Sequence, residues 1–217
     1  VAGAGLLLAG CGGPLSTLDP AGPSAASIAR IWWVMLAGAA VILAFVLVLL
    51  AVVFLSPDRL RGVPGRVWIV GLGLAFPLVT LTALVTYALL TGERLIADPA
   101  ERDVVTVRAV ARQWEWRFGP PDGPLTAGRL VIPAGRPVHV AVTSEDVIHS
   151  FWVPRLAGKM DAIPGHVNVI RIVAPAPGVY HGACAEFCGL GHAAMPFVVE
   201  AVDPAGLNAA GLTEARP

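Results

Sequence analysis

No charged residue occurs from Ile31 to Leu55 or from Val67 to Leu90, runs of 25 and 24 residues. About 20 apolar residues carry a helix across the hydrocarbon core of a bilayer. In lipid, only a helix or a closed barrel satisfies its own backbone hydrogen bonds. The two runs are therefore predicted as transmembrane helices over 31–55 and 67–91, joined by a loop over 56–66. Trp32, Trp33 and Trp68 stand at their ends, where indoles favour the membrane interface. Pro77 is expected to kink the second helix, because it has no N–H to give to the preceding turn. The chain is 217 residues long and 56% hydrophobic, and only 14% of its residues are charged. No soluble core of that size covers two such helices.

Orientation follows from the short loop. Arg59, Arg61 and Arg66 face one acid there, Asp58, and positive loops stay on the cytoplasmic side. Both termini are thus expected outside. Cys11 points the same way. It closes Leu8-Ala9-Gly10-Cys11 after a short apolar run and resembles the lipobox of bacterial lipoproteins. Residues 1–10 are read as a signal peptide, Cys11 as the lipidated residue, and the Gly-, Pro- and Ser-rich stretch over 11–30 as a linker. The bacterial cytoplasmic membrane is the expected location. Formal net charge is zero, which gives no reason to invoke nucleic acid.

From residue 98 the pattern changes. Val105, Val107 and Ala109 alternate with Thr106, Arg108 and Val110; Val138, Val140 and Val142 alternate with His139, Ala141 and Thr143. Val167, Val169 and Ile172 mark another extended run, and Phe197–Val202 one more. Gly/Pro turns separate them. Short strands at this spacing predict an all-β sandwich or barrel over 98–203, with 204–217 as a tail.

The chemistry is concentrated in Cys184-Ala185-Glu186-Phe187-Cys188-Gly189-Leu190-Gly191-His192-Ala193-Ala194-Met195. Thiolate and thioether are soft ligands that favour copper(I), and imidazole suits copper in either oxidation state. Zinc takes thiolate and imidazole but not usually methionine, so Met195 tips the balance to copper. A mononuclear blue-copper site needs one cysteine; the second one suggests two metals bridged by two sulfurs. Each metal then needs an imidazole, and the second histidine must come from elsewhere. His149, in Glu145-Asp146-Val147-Ile148-His149-Ser150-Phe151-Trp152, is the best candidate. Met160 is an alternative axial ligand. His139, His166 and His181 are read as structural or surface residues.

The pattern C-x-E-x-C-x3-H-x2-M with its upstream D-V-x-H-S resembles the CuA domain of cytochrome c oxidase subunit II. Arg112-Gln113-Trp114-Glu115-Trp116, Lys159-Met160-Asp161-Ala162-Ile163-Pro164-Gly165 and the two-helix hairpin resemble that family too. The resemblance implies a cupredoxin-like Greek-key barrel outside the membrane. It implies that Cys184 and Cys188 bridge a dinuclear copper centre, with His149 and His192 as terminal ligands. Met195 and the backbone carbonyl of Glu186 would be the weak axial ligands. The Glu186 side chain would reach magnesium at the boundary with subunit I. Trp114 would be the exposed aromatic through which electrons enter from cytochrome c. Subunit I, and with it subunit III, would be the partners, and haem in subunit I the electron acceptor for oxygen reduction.

Two departures from the family stand out. No acid lies between Gly62 and Leu90, where many members carry a glutamate before the second helix. His166 stands where many members have arginine after Pro-Gly. Other readings of the loop remain: a local disulfide between Cys184 and Cys188, a quinol oxidase-type subunit II, or a membrane-tethered copper carrier. The first and third leave the four-ligand pattern unexplained, and the quinol branch lacks copper ligands.

Overall fold

The computed structural model describes residues 11–92, 97, 101 and 104–203. The expected signal peptide over 1–10 and the tail over 204–217 lie outside the described residues. The chain divides into two units, Arg30–Arg94 and Val1–Ala29 with Leu95–Pro217.

In the first unit the apolar runs are helical. Helix α1 spans Pro23–Leu55. Proline is tolerated in a first helical turn, and the Ser56-Pro57 step ends the helix because the residue before proline avoids helical angles. A short turn, Pro57–Arg59, follows, and Arg61 pairs with Asp58 at 3.1 Å on the exposed loop. The next helix opens with wide, π-type turns over Val67–Ala75 and continues as α2 over Phe76–Gly92. The Phe76 N–H reaches back five residues to the Gly71 carbonyl. The change of winding falls at Phe76-Pro77, where the missing proline N–H interrupts the α-helical ladder. Both helices are long and apolar enough to cross a membrane, and Leu43, Phe54, Ile69 and Leu89 leave their side chains exposed. Stripes that are apolar on all sides suit lipid rather than water.

The second unit is the β domain. Its strands are β1 Val105–Arg112, β2 Glu115–Gly119, β3 Thr126–Ala127, β4 Arg129–Pro133, β5 Pro137–Ser144, β6 His149–Trp152, β7 Lys159–Ala162, β8 Asn168–Val173, β9 Gly178–Cys184 and β10 Pro196–Val202. One sheet runs β3-β2-β1-β5-β8, the other β4-β10-β9-β6-β7. The pairs β1–β5 and β4–β10 are parallel, the rest antiparallel. This is the all-β domain expected from the alternation, and it is cupredoxin-like, as the resemblance implies. In β5, Val138, Val140 and Val142 are buried on one face, as a half-buried strand of period two requires. In β8 the inward residues are Ile170 and Ile172, while Val169, and Val167 just before the strand, are exposed.

The sheets meet over an aromatic cluster. Trp116 and Phe118 come from one sheet, Phe151 and Phe197 from the other, with ring centroids 4.9 to 6.3 Å apart. All four are buried, and each contributes about 2–3 kcal/mol by leaving water. The cluster underlies β6, β9 and the start of β10, the three segments that carry the candidate ligands.

Residues read as a linker are also held by this unit. The Ala21 and Gly22 N–H groups donate to the Arg155 carbonyl at 2.8 Å each, and the Ala25 N–H donates to the Leu156 carbonyl at 3.2 Å. Arg155 pairs with Asp19 at 3.0 Å. Ser24, Ala25 and Ala29 are buried.

Candidate metal centre

The register of β6 on β9 builds the site. Phe151 faces Cys184 and Trp152 faces Ala183, and the Ala185 N–H continues the ladder to the Ser150 carbonyl at 2.9 Å. His149, at the first position of β6, therefore lies beside the end of β9. The chain then turns through 185–191, makes one tight helical turn over His192–Ala194, and enters β10 after Met195. Five candidate ligands, the Glu186 carbonyl among them, thus sit on the end of β9 and the connection to β10, and the sixth, His149, sits on the strand next to it.

The side chains converge in two matched halves. The Cys184 and Cys188 sulfurs are 3.9 Å apart. On one side, Cys184 Sγ lies 3.9 Å from His149 Nδ1 and 3.3 Å from the Glu186 carbonyl oxygen. On the other, Cys188 Sγ lies 3.7 Å from His192 Nδ1 and 4.0 Å from Met195 Sδ. Each sulfur thus has its own imidazole and its own weak donor. Met160, the alternative thioether, sits in β7 opposite Phe151, and Met195 is the one beside the thiols.

This set fits a metal. Both cysteines are free thiols, and their separation is nearly twice a disulfide bond of about 2.05 Å. It is also within the span of two metal–sulfur bonds of about 2.3 Å meeting at one ion. Ligand atoms of His149, Cys184 and Cys188 all lie within 4.8 Å of one another. His149 is fully buried, and Cys184, Cys188 and Met195 are buried. Burial, with Cys184 beside it, pushes the Cys188 thiol up to about 11. A cation displaces that proton on binding.

Acceptors around the ligands set their orientation. His149 Nε2 lies 2.9 Å from Asp146 Oδ1, which places the ring proton on Nε2 and turns the Nδ1 lone pair to Cys184. Burial opposes ionisation of Asp146. Hydrogen bonds from the Gln113 N–H, His149 and the Val147 N–H outweigh it and lower the carboxyl to about 2. The Glu186 carboxylate pairs with Lys159 Nζ at 3.2 Å. Lys159 also holds Asp161 at 3.1 Å, and Asp161 accepts from the Ser150 hydroxyl at 2.8 Å.

Trp114 belongs to the two-residue turn between β1 and β2. Its indole is 41% exposed, yet its N–H donates to the Cys188 carbonyl at 3.2 Å. Gly191 lies flat against the ring, and a Cβ there would run into the indole. Trp116, two residues on, is in the core. Gln113 and Asp146 stand within the stretches that carry the resemblance, 112–116 and the D-V-x-H-S pattern, but neither is an expected ligand. A carboxylate three residues before a ligand histidine was the available signal for Asp146. For Gln113 the resembling stretch 112–116 was the signal, but it does not name the partner, which lies 75 residues away.

With this geometry in hand, relatives are informative. Residues 125–202 match the family model of the periplasmic domain of cytochrome c oxidase subunit II. Cytochrome c oxidase subunit 2 of Alkalihalophilus pseudofirmus is 34% identical over 218 residues, taking in 91% of this chain and 62% of that protein. The Arabidopsis thaliana subunit 2 is 36% identical over 157 residues, 58% of this chain and 59% of that protein. The chain therefore spans about three-fifths of the length of these curated relatives. The solved periplasmic domain of subunit II of cytochrome oxidase from Bradyrhizobium japonicum has 29% identity and a TM-score of 0.48, over 50% of this chain and 91% of that one. Along nine-tenths of its length this chain is similar to one such subunit, and most of its β domain matches the family model of the periplasmic domain of cytochrome c oxidase subunit II.

Proposed function

We propose that this chain accepts single electrons from a cytochrome c or a similar one-electron carrier at a dinuclear copper (CuA) centre, and delivers them to haem in subunit I of a terminal oxidase. The observation that carries the reading is the two-fold pairing of donors: two buried sulfurs 3.9 Å apart, each with its own imidazole and weak donor. A single metal has no use for two such sets.

Cys184 and Cys188 would bridge, His149 and His192 would terminate, and Met195 and the Glu186 carbonyl would lie at longer range. When bound, the copper pair supplies reversible one-electron uptake shared over two metals. The residues hold the ligands in one geometry for both redox states. The aromatic cluster beneath keeps water out, and the half-exposed Trp114 links the surface to the Cys188 carbonyl. The same reading gives the Glu186 carboxylate to a magnesium ion at the boundary with subunit I, for which Lys159 would release it. The β domain and both termini would lie on the outer face of the bacterial membrane, with Arg59, Arg61 and Arg66 inside. Exposed Cys11 would carry the lipid. Subunits I and III would be its neighbours.

The test is electron spin resonance of the copper-loaded full chain in detergent. Hyperfine structure from two equivalent copper nuclei is expected. A spectrum from one copper nucleus would sink the reading and favour a carrier.

A further inference from the structure

The turn between β1 and β2 touches both halves of the site, and none of its contacts is explained by the ligand set. The Gln113 N–H donates to Asp146 Oδ2 at 2.7 Å, and the other oxygen of that carboxylate faces His149 Nε2 at 2.9 Å. The Gln113 side-chain amide donates to the Cys188 carbonyl at 2.8 Å, where the Trp114 indole also donates. One residue thus reaches the His149 half through its backbone and the Cys188 half through its side chain. The Cys188 carbonyl belongs to the peptide that leads into Gly189, whose φ of +116° is open to glycine and rarely to other residues. A glycine peptide has many orientations open to it and keeps one only where neighbours fix it. Two donors on one carbonyl do so. Asp146 itself is kept in place by the Val147 N–H at 2.6 Å and the Ser144 hydroxyl at 3.3 Å.

We propose that Gln113 and Asp146 are positioning residues, and that together they make the β1–β2 turn a clasp that holds the two halves of the metal centre in register. The clasp rests on the copper reading above, but its geometry is a property of the protein alone. Neither residue ligates the metal. Asp146 fixes the ring of His149 and the backbone of Gln113; Gln113 passes that constraint to the loop that carries Cys188. Loss of either contact lets the two halves move independently. Partners of this type that orient metal ligands change affinity by about 10–100-fold when removed.

The full chain in detergent supplies the test, as Gln113→Leu, Asp146→Asn and the double variant, with Arg112→Gln, at the end of β1 beside that turn, as a control. The Arg112 side chain, itself exposed, pairs with Glu115 at 2.6 Å. Copper retention against a chelator is expected to weaken about 10–100-fold in each single variant, with the two copper nuclei no longer equivalent in the hyperfine pattern. The control is expected to stay within about twofold. The double variant should lose no more than the worse single variant, since both act through one turn. In the metal-free, reduced protein, Gln113→Leu should raise the alkylation rate of Cys188 and leave that of Cys184 unchanged. Retention and hyperfine pattern like the parent in both single variants overturn the proposal, as do losses that multiply in the double variant. If the parent shows no two-copper signature, the copper reading fails. The alkylation arm then decides the clasp: a faster Cys188 supports it, and equal rates overturn it.

Discussion

At the scale of single residues, the site divides into side chains whose chemistry names them and side chains whose position does. Cys184, Cys188, His192 and Met195 are legible because soft donors seldom crowd into twelve residues without a metal. His149 is legible only through its motif, since a lone buried histidine is ordinarily satisfied by its neighbours. Gln113 is ordinary as a residue type and acquires its role from a turn that brings it to Cys188. Met195→Leu is expected to keep two coppers and shift the reduction potential, because a weak axial donor tunes a site that the thiolates hold. Cys188→Ser should abolish the shared-electron spectrum; a normal spectrum in that variant would remove Cys188 from the bridge. Asp146 also has a measurable effect on the metal-free protein. Its carboxyl is lowered to about 2 in the folded state, so the stability it adds is complete above its ordinary range and is lost as pH falls through about 2. In chemical denaturation at pH 7, Asp146→Asn should cost about 1 kcal/mol, after discounting for its part-exposed position. The gap between variant and parent should close near pH 2.

At the scale of elements, β5 and β10 follow the alternation in the sequence, because one face of each is buried and the other is not. Of Val167, Val169 and Ile172, which mark the run around β8 in the sequence, Ile172 alone faces the core, beside Ile170. Three closely spaced β-branched residues do not reveal which parity points inward; the partner strand decides it. The stretch over 11–30 shows a different limit. Its glycines and prolines look like a spacer, but hydrogen bonds from Ala21, Gly22 and Ala25 tie it to the segment after β6. Composition cannot report a partner more than a hundred residues away. A β domain beginning near residue 98 is therefore expected to be less stable than one to which residues 19–29 are joined. Three backbone hydrogen bonds at about 0.5–1.5 kcal/mol each predict a loss of about 2–4 kcal/mol. Equal denaturation midpoints for the two would show that the tether adds nothing.

For the whole molecule, charge near the metal centre is largely paired within the chain. Arg112 meets Glu115, Arg117 meets Glu145 at 2.5 Å, and Lys159 meets both Asp161 and Glu186. Among the described residues around the centre, Trp114, Val147, Ile148, Phe187 and Leu190 are large, apolar and exposed. Electrostatic steering can raise association rates about 10- to 1,000-fold and falls steeply with salt. A surface of paired charges forgoes most of that gain. Stopped-flow reduction of the copper-loaded chain by a cationic cytochrome c is expected to slow less than about threefold between 50 and 200 mM salt. A tenfold slowing would show that unpaired acids steer the donor. The four loop donors span only twelve residues between two strands already zipped to the rest of the sheet. Little chain entropy is left for a metal to remove, and the aromatic layer below is packed from the strands of both sheets, with no metal ligand among its four rings. The barrel therefore ripens before its cargo arrives, and copper should come and go from a finished scaffold instead of serving as the nucleus around which it forms.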